Sequence, residues 1–151
     1  MPEDDPRFAE VYDADLAAAM LEMSRGVTGV PDYHGIELTG IGPGWVVGEM
    51  TVRPELLNPF GAMHGGAVAA LVDHVLGSAV FPLIPRGTWP ATLEYKVNYL
   101  APAREGVVRA ESRVVAITAR TAVVSIDVFN GGRAVATALG TIALTAPKSS
   151  G

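Results

Sequence analysis

The feature that most constrains this chain is a long apolar stretch, residues 65–81, with the composition of a helix that is buried on every side. After two glycines it consists mainly of alanine, valine and leucine, so apolar or small residues lie on every face. A helix that is apolar all round is normally found in a protein core. Pro82 ends the segment, and a loop over residues 58–63 leads into it. We therefore expect one buried helix around which the rest of the chain is arranged.

One carboxylate, Asp73, interrupts this apolar segment. Burying a carboxylate costs free energy unless the group is paired, and such residues concentrate at functional sites. Two interpretations follow: Asp73 is a catalytic group, or it is a buried carboxylate that caps a helix or bridges two subunits without chemistry. The residues that flank it favour the catalytic interpretation.

The position of Gly65 relative to Asp73 predicts an assembly. Gly65 lies near the start of the predicted helix, where free backbone N–H groups and the positive end of the helix dipole can stabilise an oxyanion. Asp73 lies eight residues later, which is about 12 Å along the helix axis. One reacting carbonyl group cannot contact both groups of the same helix, whereas two antiparallel copies would place each Gly65 beside the other copy's Asp73. The spacing predicts a two-fold dimer with two shared sites.

The other segments predict an α+β fold. Strand-like alternation is clearest over residues 93–99, and residues 130–132 are typical of a hairpin turn. Residues 40–44 favour a turn, and residues 8–25 favour one helix or two. The predicted strands are residues 45–52, 93–99, 107–118, 121–129 and 133–145. We expect a long central helix wrapped by an antiparallel sheet of about five to six strands, with an N-terminal helix beside it.

Length and composition limit the possible classes of function. The 151 residues are enough for one domain with a core and too few for two ordinary domains. A hydrophobic content of 49% alongside 18% charged residues favours a subunit that buries surface against a partner. The net charge of −5 argues against nucleic-acid binding, which needs clustered Lys and Arg. Because the chain has no cysteine, it has no disulfide, no thiolate metal site and no Cys nucleophile.

The sequence carries no targeting or membrane signal that we recognise. Residues 1–5 are acidic and lack the basic and apolar parts of a signal peptide. No run of about 18 uninterrupted apolar residues occurs, so no membrane-spanning segment is expected. We expect a cytoplasmic protein that binds neither membranes nor nucleic acid.

Seven residues in and before the predicted helix form a motif: Asn58, Gly61, the run His64-Gly65-Gly66, Leu71 and Asp73. This pattern, N-x-x-G-x-x-H-G-G-x-x-x-x-L-x-D, resembles the signature of hotdog-fold acyl-CoA thioesterases of the phenylacetate-degradation (PaaI-like) type. The similarity continues through residues 92–103 and covers residues 34–146. The resemblance implies a hotdog thioesterase domain over residues 34–146. Residues 1–33 carry no such match and are interpreted from their own pattern as an N-terminal helical segment, and residues 147–151 as a tail. The resemblance also implies hydrolysis of an acyl- or aryl-CoA thioester to free acid and CoA.

The resemblance implies a role for each of five residues. Asp73 either attacks the thioester carbonyl to form a mixed anhydride or deprotonates the attacking water, and both routes stay open. The backbone N–H of Gly65 stabilises the oxyanion. Asn58 orients the water or polarises the carbonyl, with an Asx-turn as its structural alternative. His64 orients the loop or lines the site, and the Thr92 hydroxyl faces the acidic residue, although an ordinary strand threonine fits this position as well.

Basic and small residues complete the predicted site. Arg120, in a tight turn between two strands, resembles the basic residue that many relatives place near the CoA phosphates, and Arg104 is a second candidate. Gly77 and Ala70 lie about one turn on either side of Asp73 and leave room for an acyl group. No metal and no separate cofactor is expected, because the three histidines lack a metal-binding spacing and CoA is part of the substrate.

Two alternatives to hydrolysis stay open. A hotdog protein that binds acyl-CoA without cleaving it would act as a sensor. A hotdog enoyl-CoA hydratase is less consistent with the spacing, because those enzymes resemble one another in a histidine three residues after an asparagine, and His64 follows Asn58 by six. His34 and His74 are interpreted as structural or solvated. The predicted partners are acyl-CoA and further copies of the chain, as a homodimer and a dimer of dimers.

Overall fold

The structure, a computed structural model, describes residues 1–146 as one antiparallel sheet, a long helix packed against it and an N-terminal segment with two shorter helices. The strands are β1 (Ile36–Gly42), β2 (Trp45–Thr51), β3 (Trp89–Tyr99), β4 (Val107–Ile117), β5 (Thr121–Asn130) and β6 (Arg133–Thr145). The helices are α1 (Ala14–Met23), α2 (Val30–His34) and α3 (Gly65–Val80). The strands lie in the order β1-β2-β4-β5-β6-β3, so β1 and β3 form the two edges of the sheet.

Helix α3 lies at the centre of the core. Its fully buried side chains recur at helical spacing, as expected for a helix that packs one face against a sheet. They are Ala67, Val68, Leu71, Val72, Val75, Leu76, Ala79 and Val80. Glycines in two strands let the helix approach: a Cβ at Gly48 would lie 2.6 Å from Val75, and one at Gly140 would lie 2.9 Å from Leu76. This arrangement confirms the predicted α+β hotdog fold, with six strands.

The opposite face of α3 is not covered by the sheet. Its residues are half-buried and mostly small: Ala69, Ala70, Asp73, His74, Gly77 and Ser78. The expectation that every face of the helix is buried is therefore wrong for the single chain, because one sheet covers only one side of a helix. The composition of this second face still needs an explanation, since a solvated helix face normally carries charged residues.

Strand β1 is the largest departure from the predicted elements. Residues 40–44 were expected to form a turn, whereas the strand runs through Gly42 and the turn is confined to the next two residues. The side chain of Trp45 packs over the strand, and a Cβ at Gly42 would lie 2.4 Å from its indole. The glycines of this segment therefore make room for an aromatic ring within a strand. Only Gly44, with φ of +82°, adopts a turn conformation that favours glycine.

Edge strand β3 contains a β-bulge. Thr92 pairs with Ile142 and Glu94 pairs with Thr141, so Leu93 is an extra residue in the strand. The predicted alternation over residues 93–99 is consequently only partly right. Leu93 is 60% exposed, whereas Tyr95 packs against the core. Beyond its pairing with β6, the outer edge of β3 meets no other strand of residues 1–146.

The N-terminal segment is fastened to the sheet and to the end of α3. The predicted helix over residues 8–25 is a 3₁₀ turn at Pro6–Phe8 followed by α1. Asp13 caps α1, its backbone N–H donates to Pro82 O at 2.8 Å, and its carboxylate binds Arg86 at 2.7 Å. At the other end of α1, Ser24 Oγ accepts the N–H of Leu38 at 2.6 Å. Helix α1 therefore has a fixed position beside β1 and α3.

Strand β3 begins at Trp89, four residues before the predicted start at residue 93. Strands β2, β4 and β5 agree with the prediction to within one residue at each end, and β6 has the predicted bounds. The predicted tail, residues 147–151, lies outside the described residues. One segment of residues 1–146, Gly65–Leu83, is long and apolar enough to cross a membrane by length and composition. This segment is α3 with the turn that follows it, and it is the core helix of the domain.

Candidate active site

Asp73 lies in the second half of α3, on the face that the sheet leaves uncovered. Thr92 Oγ1 donates a hydrogen bond of 2.8 Å to Asp73 Oδ1 from strand β3. The bulge after Thr92 leaves this side chain on the side of the sheet that carries α3, as its pairing with the fully buried Ile142 shows. Among residues 1–146, no donor contacts the other carboxylate oxygen of Asp73. The structure thus brings together the two residues that the sequence placed on different elements.

The Asp73 carboxylate faces a cavity of about 350 Å³. The rings of Phe81 and Trp89 stack at its wall, with centroids 5.7 Å apart. Gly77, one turn after Asp73, adds no side chain to the cavity, as expected from the sequence. The lining consists of Met20, Asp73, His74, Gly77, Ser78, Phe81, Trp89, Pro90 and Thr92. An acyl group that reaches Asp73 therefore meets mainly aromatic and apolar surface.

His74 also lines this cavity, although the sequence analysis treated it as structural or solvated. Burial lowers its pKa from the ordinary value of 6.5, and the neighbouring Asp73 carboxylate opposes that shift. The imidazole is therefore neutral at pH 7 and adds no charge to the cavity wall. Its position next to Asp73 in the chain was the only sequence signal, and it does not distinguish a wall residue from a solvated one.

The first turn of α3 presents a free backbone donor. His64 caps the helix, and its Nδ1 accepts the N–H of Gly66 at 2.9 Å. The N–H of Gly65 has no acceptor among residues 1–146. Tyr99, which the sequence analysis did not single out, donates its hydroxyl to Gly65 O at 2.7 Å and packs over the glycine. A Cβ at Gly65 would lie 3.1 Å from the tyrosine ring, so a larger residue would crowd this position.

Asn58 holds the loop that precedes α3. Its side-chain oxygen accepts the N–H of Phe60 at 2.9 Å and the N–H of Ala62 at 3.2 Å. This is the Asx-type geometry that was considered as its structural alternative. The NH₂ group of the same amide has no acceptor among residues 1–146, so the side chain retains donors. Asn58, Gly65 and Tyr99 line a second cavity, of about 450 Å³.

The predicted site residues therefore form two separate groups in one chain. We call Asp73, Thr92 and His74 the acid group, and Asn58, His64, Gly65 and Tyr99 the amide group. The acid group lies beside the second half of α3, and the amide group lies at its first turn. No cavity described for residues 1–146 contains members of both groups. In the same part of the chain, no group of three or more His, Asp or Glu side chains is placed to hold a metal ion.

Comparison with known proteins shows the family. The model of the thioesterase superfamily matches residues 60–137, which is more than half of the chain and includes members of both groups. The chain belongs to the thioesterase superfamily.

Two relatives and one solved structure show how this thioesterase compares with others. The proofreading thioesterase EntH from Klebsiella pneumoniae is 32% identical over 99 residues, or 66% of this chain and 72% of EntH. Human acyl-coenzyme A thioesterase 13 is 35% identical over 71 residues, or 47% of this chain and 50% of that protein. A variant of the phenylacetic acid degradation protein PaaI from Thermus thermophilus has a similar structure, with a TM-score of 0.69 at 28% identity. That similarity covers 74% of this chain and 95% of PaaI. The chain is a hotdog-fold thioesterase of the PaaI type.

The two candidate arginines of this thioesterase lie near different groups. Arg104 Nη1 donates to Phe60 O at 3.0 Å and to Gly61 O at 3.2 Å, so it supports the loop of the amide group. Arg120 lies in the turn between β4 and β5, at the end of the sheet where Thr92 lies on β3. Its guanidinium has no hydrogen-bond partner among residues 1–146. Arg120 is the more available cation of the two for an external phosphate.

Proposed function

We propose that this thioesterase hydrolyses acyl-CoA thioesters at two equivalent sites, each formed by the acid group of one subunit and the amide group of the other. The observation that carries the proposal is the separation of the two groups along one helix whose uncovered face consists mainly of small residues. A thioester carbonyl needs an attacking group and an oxyanion donor within about 3 Å of the reacting atoms. One chain supplies each of these, but in two different cavities.

A two-fold dimer brings the groups together. When two copies of α3 lie side by side and antiparallel, the Asp73 half of one copy faces the Gly65 half of the other. The small residues of the uncovered face permit this close approach. Edge strand β3 supports the same assembly, because an unpaired edge with exposed apolar residues is a surface for pairing. Trp89 is 63% exposed, Leu93 60% and Tyr99 55%.

The acid group supplies the attacking species. Thr92 holds one oxygen of Asp73, so the other oxygen is free to act on substrate. It either attacks the thioester carbon, giving an anhydride that water cleaves, or takes a proton from the attacking water. In both routes the carbonyl oxygen gains negative charge, and the thiolate of CoA leaves.

The amide group stabilises that charge. The Gly65 N–H donates to the oxyanion at the positive end of α3, and the loss of one such donor costs about 10²–10³-fold in kcat in other enzymes. The NH₂ group of Asn58 is a second donor toward the carbonyl or the attacking water. His64 and Tyr99 act indirectly, by fixing the first turn of the helix.

CoA is the thiol component that we propose, and Arg120 is the cation that binds its phosphates, with Arg104 closer to the reacting carbonyl. Human acyl-coenzyme A thioesterase 13, by its name, acts on acyl-CoA, which supports this assignment. The reaction as proposed uses no metal and no cofactor apart from the CoA of the substrate. We place it in the cytoplasm, where acyl-CoA is made and consumed.

The experiment that tests the proposal is release of CoA thiol from a panel of acyl- and aryl-CoAs. Asp73→Asn is expected to lower kcat by about 10²–10⁴-fold, the usual contribution of a general base. Asp127→Asn is the matched control, because Asp127 also accepts a threonine hydroxyl, from Thr137 at 2.8 Å, but lies outside both groups. Equal rates for the two variants would remove Asp73 from the mechanism. Acyl-CoA binding without thiol release by the wild type would instead favour a sensor.

A further inference from the structure

The cavity at Asp73 continues into a second one. This second cavity, of about 240 Å³, lies between α1 and the last two turns of α3. The two cavities share four lining residues: Met20, His74, Ser78 and Phe81. A molecule that reaches Asp73 can therefore extend past Met20 and Phe81 along the surface of α1. We call the second cavity the α1 groove.

The α1 groove is apolar. Leu16, Met23, Val27 and Leu38 line it, and none of its lining residues is charged. Its two serine hydroxyls are used within the protein. Ser78 Oγ donates to His74 O at 2.7 Å, and Ser24 Oγ accepts from the backbone of Leu38. Burial lowers the pKa of His74, so its ring is neutral. The groove offers dispersion contacts and little to a polar ligand.

Helix α1 is a fixed wall of this groove. It is capped by Asp13, tied by that residue to Pro82 and Arg86, and held at its other end by Ser24. Two methionines on this wall are suited to contact flexible apolar ligands, because their side chains adapt in shape. Met23 at the mouth of the groove is 65% exposed, although it is apolar. Such an exposed apolar side chain at a cavity mouth is accounted for if a ligand covers it.

We propose, on the basis of the proposed function, that the α1 groove binds the distal part of a linear aliphatic acyl chain. The carbonyl lies at Asp73, the first carbons lie against Phe81 and Trp89, and the chain passes Met20 into the groove. A methylene group has about the volume of a water molecule in the liquid, so 240 Å³ accommodates about eight of them. With the carbonyl carbon and the first carbons in the cavity at Asp73, the substrate class is a medium-chain fatty acyl thioester of about ten to twelve carbons. An aryl group would fill only the cavity at Asp73.

The test uses two neighbouring alanines on α1. Ala19 lines the groove and is exposed, so Ala19→Trp fills the groove without disturbing the core. Ala18 is also exposed on the same helix but does not line the groove, so Ala18→Trp is the matched control. Both are made in the Asp73→Asn background, and binding of butanoyl-, octanoyl-, dodecanoyl- and hexadecanoyl-CoA is measured by calorimetry. Thiol release is measured with the same acyl-CoAs in the Asp73 parent.

Each buried methylene is expected to raise affinity by about twofold to fourfold, so octanoyl-CoA, with four more methylenes, binds at least about 16-fold more tightly than butanoyl-CoA. Ala19→Trp removes this gain and leaves butanoyl-CoA unaffected, whereas Ala18→Trp changes neither. Affinity that is independent of chain length, or equal effects of the two tryptophans, would overturn the proposal. Chain-length-dependent binding without thiol release by the parent would contradict the proposed function and leave the groove assigned. Thiol release that does not depend on chain length would support the proposed function and overturn the assignment of the groove.

Discussion

The two halves of α3 differ in what they offer a substrate. The first turn presents the free backbone N–H of Gly65, and two side chains fix its position: His64 caps the helix, and Tyr99 from β3 packs over Gly65. The second half presents a carboxylate, held by Thr92 and surrounded by apolar surface. One half can stabilise a negative charge and the other can create one. Each half alone therefore supplies only one of the two groups that acyl transfer needs. A two-fold axis between two subunits is the simplest way to place both groups at each site.

The most direct test of whether the two halves of α3 act across subunits is a mixed dimer. Asp73→Asn and Gly65→Ala homodimers are each expected to lose about 100-fold or more in kcat. In Gly65→Ala, the added Cβ would lie 3.1 Å from Tyr99 and crowd the first turn, which displaces the substrate carbonyl from the Gly65 N–H. A heterodimer with one variant in each subunit contains one site with neither defect if the sites are shared. About half of the wild-type rate should return, measured as thiol release from doubly tagged dimers. Activity at the background level would mean that each site lies within one chain.

The proposed dimer can be weakened at β3. Leu93→Lys places a charge on the exposed edge strand, where it is expected to oppose pairing of two copies. Light scattering should show monomers at micromolar concentration, and thiol release should recover as protein concentration rises. Val11→Lys alters a residue of similar exposure, 57%, in the N-terminal segment and serves as control. A monomer with full activity would contradict shared sites, and light scattering of the wild type also tests the predicted dimer of dimers.

Within the acid group, Thr92→Val keeps the shape of the side chain and removes its hydrogen bond to Asp73. Hydrogen bonds to charged groups contribute about 1.5–3 kcal/mol, so we expect kcat to fall by roughly 10–100-fold. Thr141→Val is the matched control, since this hydroxyl binds Glu94 at 2.6 Å on the other side of the sheet. If both valine variants hydrolyse acyl-CoA at the wild-type rate, Thr92 is an ordinary strand residue.

The smallest effect is expected for the melting temperature when the pair of Asp13 and Arg86, which holds the start of α1, is broken. The Arg86 guanidinium hydrogen-bonds the Asp13 carboxylate and lowers its pKa below the ordinary value of 3.8. Because the folded-state pKa is lowered, the stabilisation is present above the unfolded value and is lost as pH falls through the folded one. Asp13→Asn should therefore lower the melting temperature slightly at pH 7, and the difference from wild type should shrink below pH 3.8. A difference that stays constant with pH would show that the charge of Asp13 does not contribute and would contradict the prediction.

The sequence predicted those parts of the fold in which local chemistry and tertiary structure agree. The apolar run of α3, the glycine-rich hairpin before β6 and the bounds of β6 all have strong local signals. Strand β1 was missed because Gly40 and Gly42 usually indicate a turn. Here they accommodate the ring of Trp45, which is a contact between two strands and leaves no local trace.

The candidate site shows the same limit. The Asp73 motif indicated the chemistry, and the downstream similarity indicated Thr92, which lies against Asp73 in the structure. Tyr99 and the α1 groove were not predicted, since the spacing of Leu16, Met20 and Met23 shows an apolar helix face without showing what it contacts. Which surface a helix covers depends on the path of the whole chain, and here hydrogen bonds at Asp13 and Ser24 determine it.

The bulge at Leu93 has a consequence for how the family can change. In a regular strand Thr92 and Glu94 would point to the same side, whereas here Thr92 binds Asp73 and Glu94 binds Thr141 on the other side. The extra residue thus separates a stretch that carries the Thr92 hydroxyl to Asp73 from a stretch, with Tyr95, that packs the core. Deleting one residue here would turn the side chains of one stretch to the opposite side of the sheet and leave those of the other stretch in place. Insertions and deletions at this point can therefore exchange the hydroxyl that faces Asp73 without redesigning the core, which gives evolution a one-residue route to a different neighbour for this carboxylate.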